Sequence, residues 1–280
     1  MSKTRLAACR LTAVALGLSL AAGVAGNRPA EAAPVAATAG MKAAAEGAKA
    51  TEPQQARQNS AQTVVVDETI GVYDFVYSYP GIANKLPGLK RHFEEDIADW
   101  RNEVAESASA YADMIGNDQP GMQLDREIEW KLVTSIPGWI SLSGELSGYD
   151  GGTHPNFSYL ALLWNSQTDS KVNVVDLFLS PSIFETAVSE RFNNALNHQR
   201  REKRGGDLGE GRDAEALQAS MQTIILGSSD GQRFNRIGFL VSPYRAGPYV
   251  EGTYEVTLAI DDALLDALKP EYRRFFGLGK

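Results

Sequence analysis

One histidine in a tight turn is the residue of this chain best placed to do chemistry. His154 lies between two strand-like segments, in the run Tyr149-Asp150-Gly151-Gly152-Thr153-His154-Pro155-Asn156. Paired glycines permit positive φ, and Pro155 fixes its own φ and favours an extended His154, so this backbone is tightly specified. An imidazole here can act as an acid, a base or a pH switch, or it can pack in the turn and bond a carbonyl oxygen. Packing is the favoured interpretation, because catalytic histidine needs a partner nucleophile or ligand set, and spacing marks neither.

Residue spacing gives little support to metal-binding or glycan-cleaving chemistry. The other two histidines, His92 and His198, fall on separate predicted helices, and the sequence has no His-x-x-x-His or His-Glu-x-x-His run. Acids cluster at 94–96 and 125–129, and a carboxylate pair is what glycoside hydrolysis requires. On a helix or a half-exposed strand such acids usually face solvent. The sequence therefore predicts no metal and no cofactor, and it favours a non-enzyme while leaving activity open.

Two tyrosines in a late loop are candidate binding residues. Tyr244 and Tyr249 are separated by a segment that contains Gly247-Pro248. Aromatic rings on rigid loops are frequent anchors for sugars or proteins, although they can equally cover a sheet edge. The predicted binding residues are Tyr149, Asp150, Gly151, Gly152, His154, Asn156, Tyr244 and Tyr249.

Alternating and apolar runs predict the strands that carry these residues. The segment 64–77 favours β structure around a polar break at 67–68, which predicts one or two strands. Alternation predicts strands at 124–132 and 140–146, and the apolar run 157–164 predicts a central strand covered on both sides. A polar turn then returns the chain through 172–175. These four strands form an antiparallel meander.

Apolar residues at three- and four-residue spacing predict the helices. The clearest helix runs over 89–115 and is closed by Gly116-Asn117. A second begins at Ser180-Pro181, and Asp261 caps a short third one. Between them the sequence predicts a mobile loop at 200–212, a short helix within 213–226, and strands at 234–241 and 254–260. This order predicts an α+β fold: antiparallel sheets, helices packed on one side, and two closely packed halves.

The N-terminal segment has the layout of a secretory signal peptide. Lys3, Arg5 and Arg10 precede the apolar run 11–26, and small residues at 30–33 supply a cleavage site. The run is shorter than the roughly 20 apolar residues of a spanning helix, so cleavage is favoured over a retained anchor. We expect a signal peptide at 1–33 and a disordered leader at 34–62, which lacks large apolar residues. The mature protein would be periplasmic or secreted, without a membrane span.

Charge and cysteine content restrict the partners. The 280 residues have a formal charge of −8, and removing 1–33 takes away four basic residues and one acidic residue, which leaves −11. The only cysteine, Cys9, leaves with that segment, so hydrophobic burial must hold the fold without disulfides. An acidic chain disfavours nucleic acid and anionic membranes as partners. It suits a cationic partner or simple solubility.

Three stretches together resemble one protein family. The run 149–156, the strand and turn that lead to Val174-Val175-Asp176-Leu177-Phe178, and the loop 243–252 are similar to the PdaC/RsiV-like domains of bacterial envelope proteins. The resemblance spans about 63–268 and implies an N-terminal PdaC-like half at 63–175 and a C-terminal RsiV-like half at 176–280. Such domains occur beside peptidoglycan deacetylases and in RsiV-type anti-sigma factors, where the domain recognises lysozyme. Most members have no known activity.

The resemblance and the charge predict an exported, non-catalytic domain that binds a cell-envelope component. Peptidoglycan and a protein such as lysozyme are the expected partners, and lysozymes are commonly cationic. Asp150 stands where the family usually has a small or hydroxyl residue. Two alternatives stay open: an envelope glycan hydrolase in which a carboxylate pair works with His154, and a structural envelope protein.

Overall fold

The computed structural model describes residues 63–115, 122–208 and 211–279. The predicted signal peptide, the predicted leader and the helix end at Gly116-Asn117 lie outside these residues. Within them, nine strands form two sheets and three α-helices accompany the sheets, which confirms the α+β class. The first sheet has the order β1 (Thr63–Ile70), β2 (Tyr73–Pro80), β3 (Leu124–Ile136), β4 (Trp139–Tyr149), β5 (Asn156–Asn165) and β6 (Ser170–Val172). The second has the order β7 (Thr223–Gly227), β8 (Arg236–Val241) and β9 (Tyr254–Ala259), and the helices are α1 (Pro87–Ile115), α2 (Pro181–Lys203) and α3 (Asp262–Ala267).

One strand pair in the first sheet departs from the antiparallel pattern. β2 and β3 are parallel, whereas the other neighbours in both sheets are antiparallel. A parallel pair needs a long crossover connection, and α1 lies in the connection between these two strands. From β3 to β6 the chain forms the predicted meander.

The first sheet contributes side chains to two hydrophobic cores, one on each face. Along β5, Leu162 and Trp164 join the core that contains Phe93 of α1. Leu163, which points to the opposite face, joins the core that contains Phe184 of α2 and the apolar side chains of the second sheet. A buried hydrogen bond of 3.1 Å from the Leu226 N–H to Ser141 Oγ also links the two sheets.

Both predicted helix caps in the second half are confirmed. Ser180 Oγ accepts a hydrogen bond from the Ile183 N–H at 3.2 Å, and Pro181 is the first residue of α2. Asp261 Oδ1 accepts from the Leu264 N–H at 3.0 Å and begins α3. Each cap oxygen satisfies a backbone donor that has no partner within its own helix.

Several predicted boundaries are wrong. The turn between β1 and β2 is at Gly71, with φ 62°, and not at the acidic pair 67–68, which lies inside β1. The segment 213–226 contains short 3-10 turns and then β7, since the run Thr-Ile-Ile-Leu favours a strand over a helix. The predicted loop at 200–212 begins later, because α2 continues to Lys203 and buries Arg200 completely.

The apolar strand β5 is not covered along its whole length. β6 pairs only with Leu163–Asn165, so the earlier part of β5 has a strand neighbour on the β4 side alone. Its side chains from 157 to 161 are only half-buried. The prediction of a central strand covered on both sides therefore holds only for the last few residues.

Candidate functional site

The two loops predicted to bind a partner meet in space. His154 lies in the loop between β4 and β5, and Tyr244 and Tyr249 lie in the loop between β8 and β9. The His154 and Tyr249 rings stack with centroids 3.9 Å apart and an interplanar angle of 17°. The Tyr244 ring packs beside both, 5.9 Å from His154 and 5.4 Å from Tyr249. We call His154, Pro155, Tyr244 and Tyr249 the aromatic corner.

Hydrogen bonds use both ring nitrogens of His154. Nδ1 lies 2.9 Å from the Pro155 carbonyl oxygen, and Nε2 lies 2.8 Å from the Tyr244 hydroxyl. A carbonyl oxygen only accepts, so Nδ1 carries the proton, and in the neutral ring Nε2 accepts from Tyr244. Tyr249 Oη donates to the same Pro155 oxygen at 2.7 Å. These contacts favour the packing role over a catalytic one, because neither nitrogen is left for a reacting group.

Tyr244 has an unusual backbone conformation. Its φ of 65° is in the left-handed region, which a bulky residue adopts at a cost of about 1–2 kcal/mol. The residue is nevertheless 64% exposed. The hydrogen bond to His154 and the turn closed by the Arg245 N–H and the Ser242 carbonyl at 3.2 Å hold it there. The loop thus holds an aromatic ring toward solvent in a strained conformation.

Asp150 anchors the first loop to the sheet. Its Oδ1 accepts from Arg126 Nη2 at 2.8 Å and from Tyr73 Oη at 2.9 Å, and its Oδ2 accepts from Asn156 Nδ2 at 3.4 Å. Burial, together with the hydrogen bond to Asp150, raises the pKa of Tyr73 to about 12. Arg126 also lies over the Trp100 ring of α1, 5.8 Å from its centroid. Asp150 therefore ties the loop to β2 and β3, and Asn156 at the start of β5 bonds to the same carboxylate.

Only one of the paired glycines uses the left-handed region. Gly151 has φ 82°, whereas Gly152 does not have a positive φ. A Cβ added to Gly152 would meet no atom closer than 3.9 Å. Tyr149 Oη donates to the Gly152 carbonyl oxygen at 2.9 Å and closes this part of the loop. The turn requires a glycine at 151 and tolerates other residues at 152.

An ion pair that the sequence analysis missed holds the second loop. Arg204, just after α2, contacts Glu251 through Nε–Oε1 at 2.7 Å and Nη2–Oε2 at 2.8 Å, and each side chain is only 12% exposed. Its guanidinium, helped by the Tyr254 hydroxyl, holds the pKa of Glu251 below its usual range. A Cβ on Gly247 would lie 2.0 Å from Glu251 Oε2, so a larger residue there would have to displace the ion pair. The sequence signal for this contact was the four-residue spacing of the apolar face of α2, which continues from Leu196 to Arg200 and Arg204.

Three of the six acids that suggested glycan cleavage have contacts with other side chains. Glu94 pairs with Lys90 on α1, and Asp96 accepts from the hydroxyl of the buried Tyr77. Glu129 pairs with Lys131 at 3.0 Å. Among the residues that the structure describes, no group of three or more His, Cys, Asp or Glu side chains is arranged to hold a metal ion. Within the same described residues, no helix has the length and apolarity needed to span a membrane.

Comparison with known proteins identifies structural neighbours. No family model and no curated protein matches the sequence. The fold is similar to the crystal structure of a DUF3298 family protein from Pseudomonas aeruginosa, with 12% identity and a TM-score of 0.49 over 77% of this chain and 97% of that chain. It is also similar to a DUF3298 family member from Bacteroides fragilis, with 15% identity and a TM-score of 0.44 over 79% of this chain and 95% of that chain.

Proposed function

We propose that this chain is an exported, non-catalytic domain that binds a cell-envelope component through the aromatic corner. Peptidoglycan and a cationic protein such as lysozyme are the partners that the family resemblance and the acidic charge favour. The observation that carries the proposal is the exposed Tyr244 ring, held by a loop from one sheet against His154 from the other. Such a preformed ring loses little conformational entropy on binding, which suits an anchor residue.

The neighbourhood of the ring supports binding over chemistry. Val250 in the same loop is 90% exposed, so an apolar side chain accompanies the aromatic ones. The hydrogen bonds of His154 and Tyr249 are made within the corner itself. A partner would therefore contact a rigid apolar surface with oriented hydroxyl groups at its rim. Protein interfaces commonly have this combination of an apolar centre and a polar rim.

The proposal is tested by measuring binding of the purified protein to a cationic lysozyme and, separately, to soluble peptidoglycan fragments. We expect saturable binding to one of these probes at low salt. If the probe is lysozyme, binding weakens as salt rises, because the chain is acidic. Tyr244→Ala should weaken binding about 30-fold, the effect of removing an interface anchor. Tyr244→Phe, which keeps the ring, should retain most of the affinity.

A matched control separates the corner from general surface apolarity. Ile183 at the start of α2 is 42% exposed and lies about 30 Å along that helix from Arg204. Ile183→Ala should bind as the unaltered protein does. Absence of binding to both probes at low salt, or equal binding by Tyr244→Ala and Ile183→Ala, contradicts the proposal.

A further inference from the structure

A groove of about 370 Å³ opens beside the outer edge of β5 and shares no residue with the aromatic corner. Ala161 and Leu163 of β5 line one side, and Ile224 of β7 lines another. Val172 of β6 closes one end, and Lys171 is the charged residue among its lining side chains.

Two contacts at Tyr159 establish which backbone groups of β5 face this groove. The Tyr159 N–H donates to Ser242 Oγ at 3.0 Å, and its carbonyl oxygen accepts from Thr223 Oγ1 at 3.2 Å. Both groups therefore point away from β4. Outward groups recur at every second residue of an antiparallel strand, and the β4–β5 register is continuous. The N–H and carbonyl of Ala161 consequently point outward as well.

The strand that would pair with Ala161 is missing from the sheet. β6 begins to pair with β5 only at Leu163, and beyond Val172 the chain turns away into a 3-10 turn at Val174–Leu177. Across the described residues, the hydrogen bonds satisfy the outward groups of Tyr159 but not those of Ala161. Four residues' rise, about 13 Å, separates the capped Tyr159 from the paired Leu163, and Ala161 lies unpaired between them.

A second strand edge faces the same groove. The Leu226 N–H donates to Ser141 Oγ, so alternate residues of β7 turn their backbone groups away from β8. Ile224 is two residues earlier and has the same orientation. Two strands from different sheets therefore present peptide groups toward one half-polar groove.

We propose that this groove binds a short extended peptide of a partner protein, added to the edge of β5 in the line of β6. One residue of an extended peptide turns its N–H and its carbonyl oxygen to the same side, where they match the carbonyl oxygen and the N–H of Ala161. Side chains of the peptide would lie against Leu160, Leu163 and Ile224, which selects small apolar residues. Lys171 selects an acidic residue at the same end. An unpaired strand edge of this kind is a ready template for another chain.

The test uses an acetylated and amidated Asp-Thr-Val-Thr-Val peptide, whose N-terminal Asp lies at the Lys171 end when the peptide continues in the direction of β6, and amide NMR spectra of the purified protein. We expect saturable shifts, confined to the amides of Ala161, Val172 and Ile224, below about 5 mM peptide. The amide proton of Ala161 should exchange with deuterium rapidly in the free protein and slowly in the complex. A peptide with its central valine N-methylated is the control and should not bind, because it lacks the donor.

Two variants distinguish backbone pairing from non-specific surface binding. Ala161→Pro removes the outward N–H and leaves the β4 bonds in place, so affinity should fall about tenfold. Lys171→Gln should weaken binding a few-fold at low salt and leave it unchanged at high salt. The inference is overturned if the Ala161 amide is already protected in the free protein, if shifts are absent or scattered, or if the N-methylated peptide binds equally well. These outcomes do not depend on the aromatic corner.

Discussion

Replacing Arg204 by methionine tests whether one ion pair holds the aromatic corner in place. The guanidinium makes two parallel contacts with the Glu251 carboxylate and also donates to the Ala246 carbonyl oxygen at 3.2 Å. Methionine keeps the apolar stem and removes the charge. Glu251 then remains in a site where it is 12% exposed, with the Tyr254 hydroxyl as a neighbour.

The expected loss of stability follows from what Glu251 retains. Removing one partner of a buried pair costs about 3–5 kcal/mol. Here the residual exposure and the Tyr254 hydroxyl reduce the loss to about 2–3 kcal/mol. For a domain of this size that corresponds to a fall of about 5–10 °C in Tm.

The loss should also depend on pH with a definite sign. Arg204 holds the pKa of Glu251 below its usual range, so the unfolded chain takes up the proton first as pH falls. The stabilisation is complete above the ordinary glutamate range, near ~4.3, and disappears as pH falls through the lowered pKa. The stability difference between Arg204→Met and the unaltered protein should therefore be largest at pH 7 and shrink in acid.

Urea unfolding at pH 7 and in acid measures both effects. Arg201, on the exposed side of the same helical turn, supplies the control. Arg201→Met should change the free energy of unfolding by less than about 0.5 kcal/mol. Equal losses in the two variants at pH 7 would refute the structural role given to the ion pair.

Three further perturbations test the first loop, the α1 core and the contact between the sheets. Gly151→Ala should cost about 1–2 kcal/mol in thermal unfolding because of its φ of 82°, whereas Gly152→Ala should be nearly neutral, and equal values would contradict the assigned turn. Burial, and secondarily Lys171, lowers the pKa of His92. The contribution of His92 to the free energy of unfolding is therefore complete above about pH 6.5 and is lost as pH falls through the lowered pKa. His92→Phe should remove this part of the pH dependence in urea titrations. Ser141→Ala should cost about 1–3 kcal/mol, since it leaves the buried Leu226 N–H without an acceptor, and a smaller loss would show that the sheets do not depend on this bond.

Local patterns predicted most of the elements and both caps of the second half. Three- and four-residue spacing located α1, and the side-chain oxygens of Ser180 and Asp261 marked the starts of α2 and α3. No comparable sequence pattern predicted the parallel pairing of β2 with β3, because these strands are separated in the chain by the whole of α1. β7 was mistaken for a helix since five residues are too few for periodicity to distinguish the two.

The residues of the aromatic corner were predictable singly, whereas their arrangement was not. Turn chemistry singled out the 149–156 run, and aromatic content singled out Tyr244 and Tyr249. The stack between His154 and Tyr249 depends on how two sheets pack, which no short-range pattern encodes. The Arg204–Glu251 pair was missed for a related reason, since the high charge of 200–212 was interpreted as a sign of a solvated loop.

The strain at Tyr244 indicates that the exposed ring depends on contacts between the two loops. A left-handed φ costs a non-glycine residue about 1–2 kcal/mol. The hydrogen bond and ring packing with His154 stabilise the folded state by a similar free energy. Tyr244→Gly removes both the backbone strain and the stabilising contacts with His154, so the free energy of unfolding should change by less than about 1 kcal/mol. Tyr244→Ala loses the contacts but keeps the strain, and it should be about 1 kcal/mol less stable than Tyr244→Gly. Equal stabilities for these two variants in urea would show that the strain is absent in solution, and the ring would then need no contact with His154 to stay exposed.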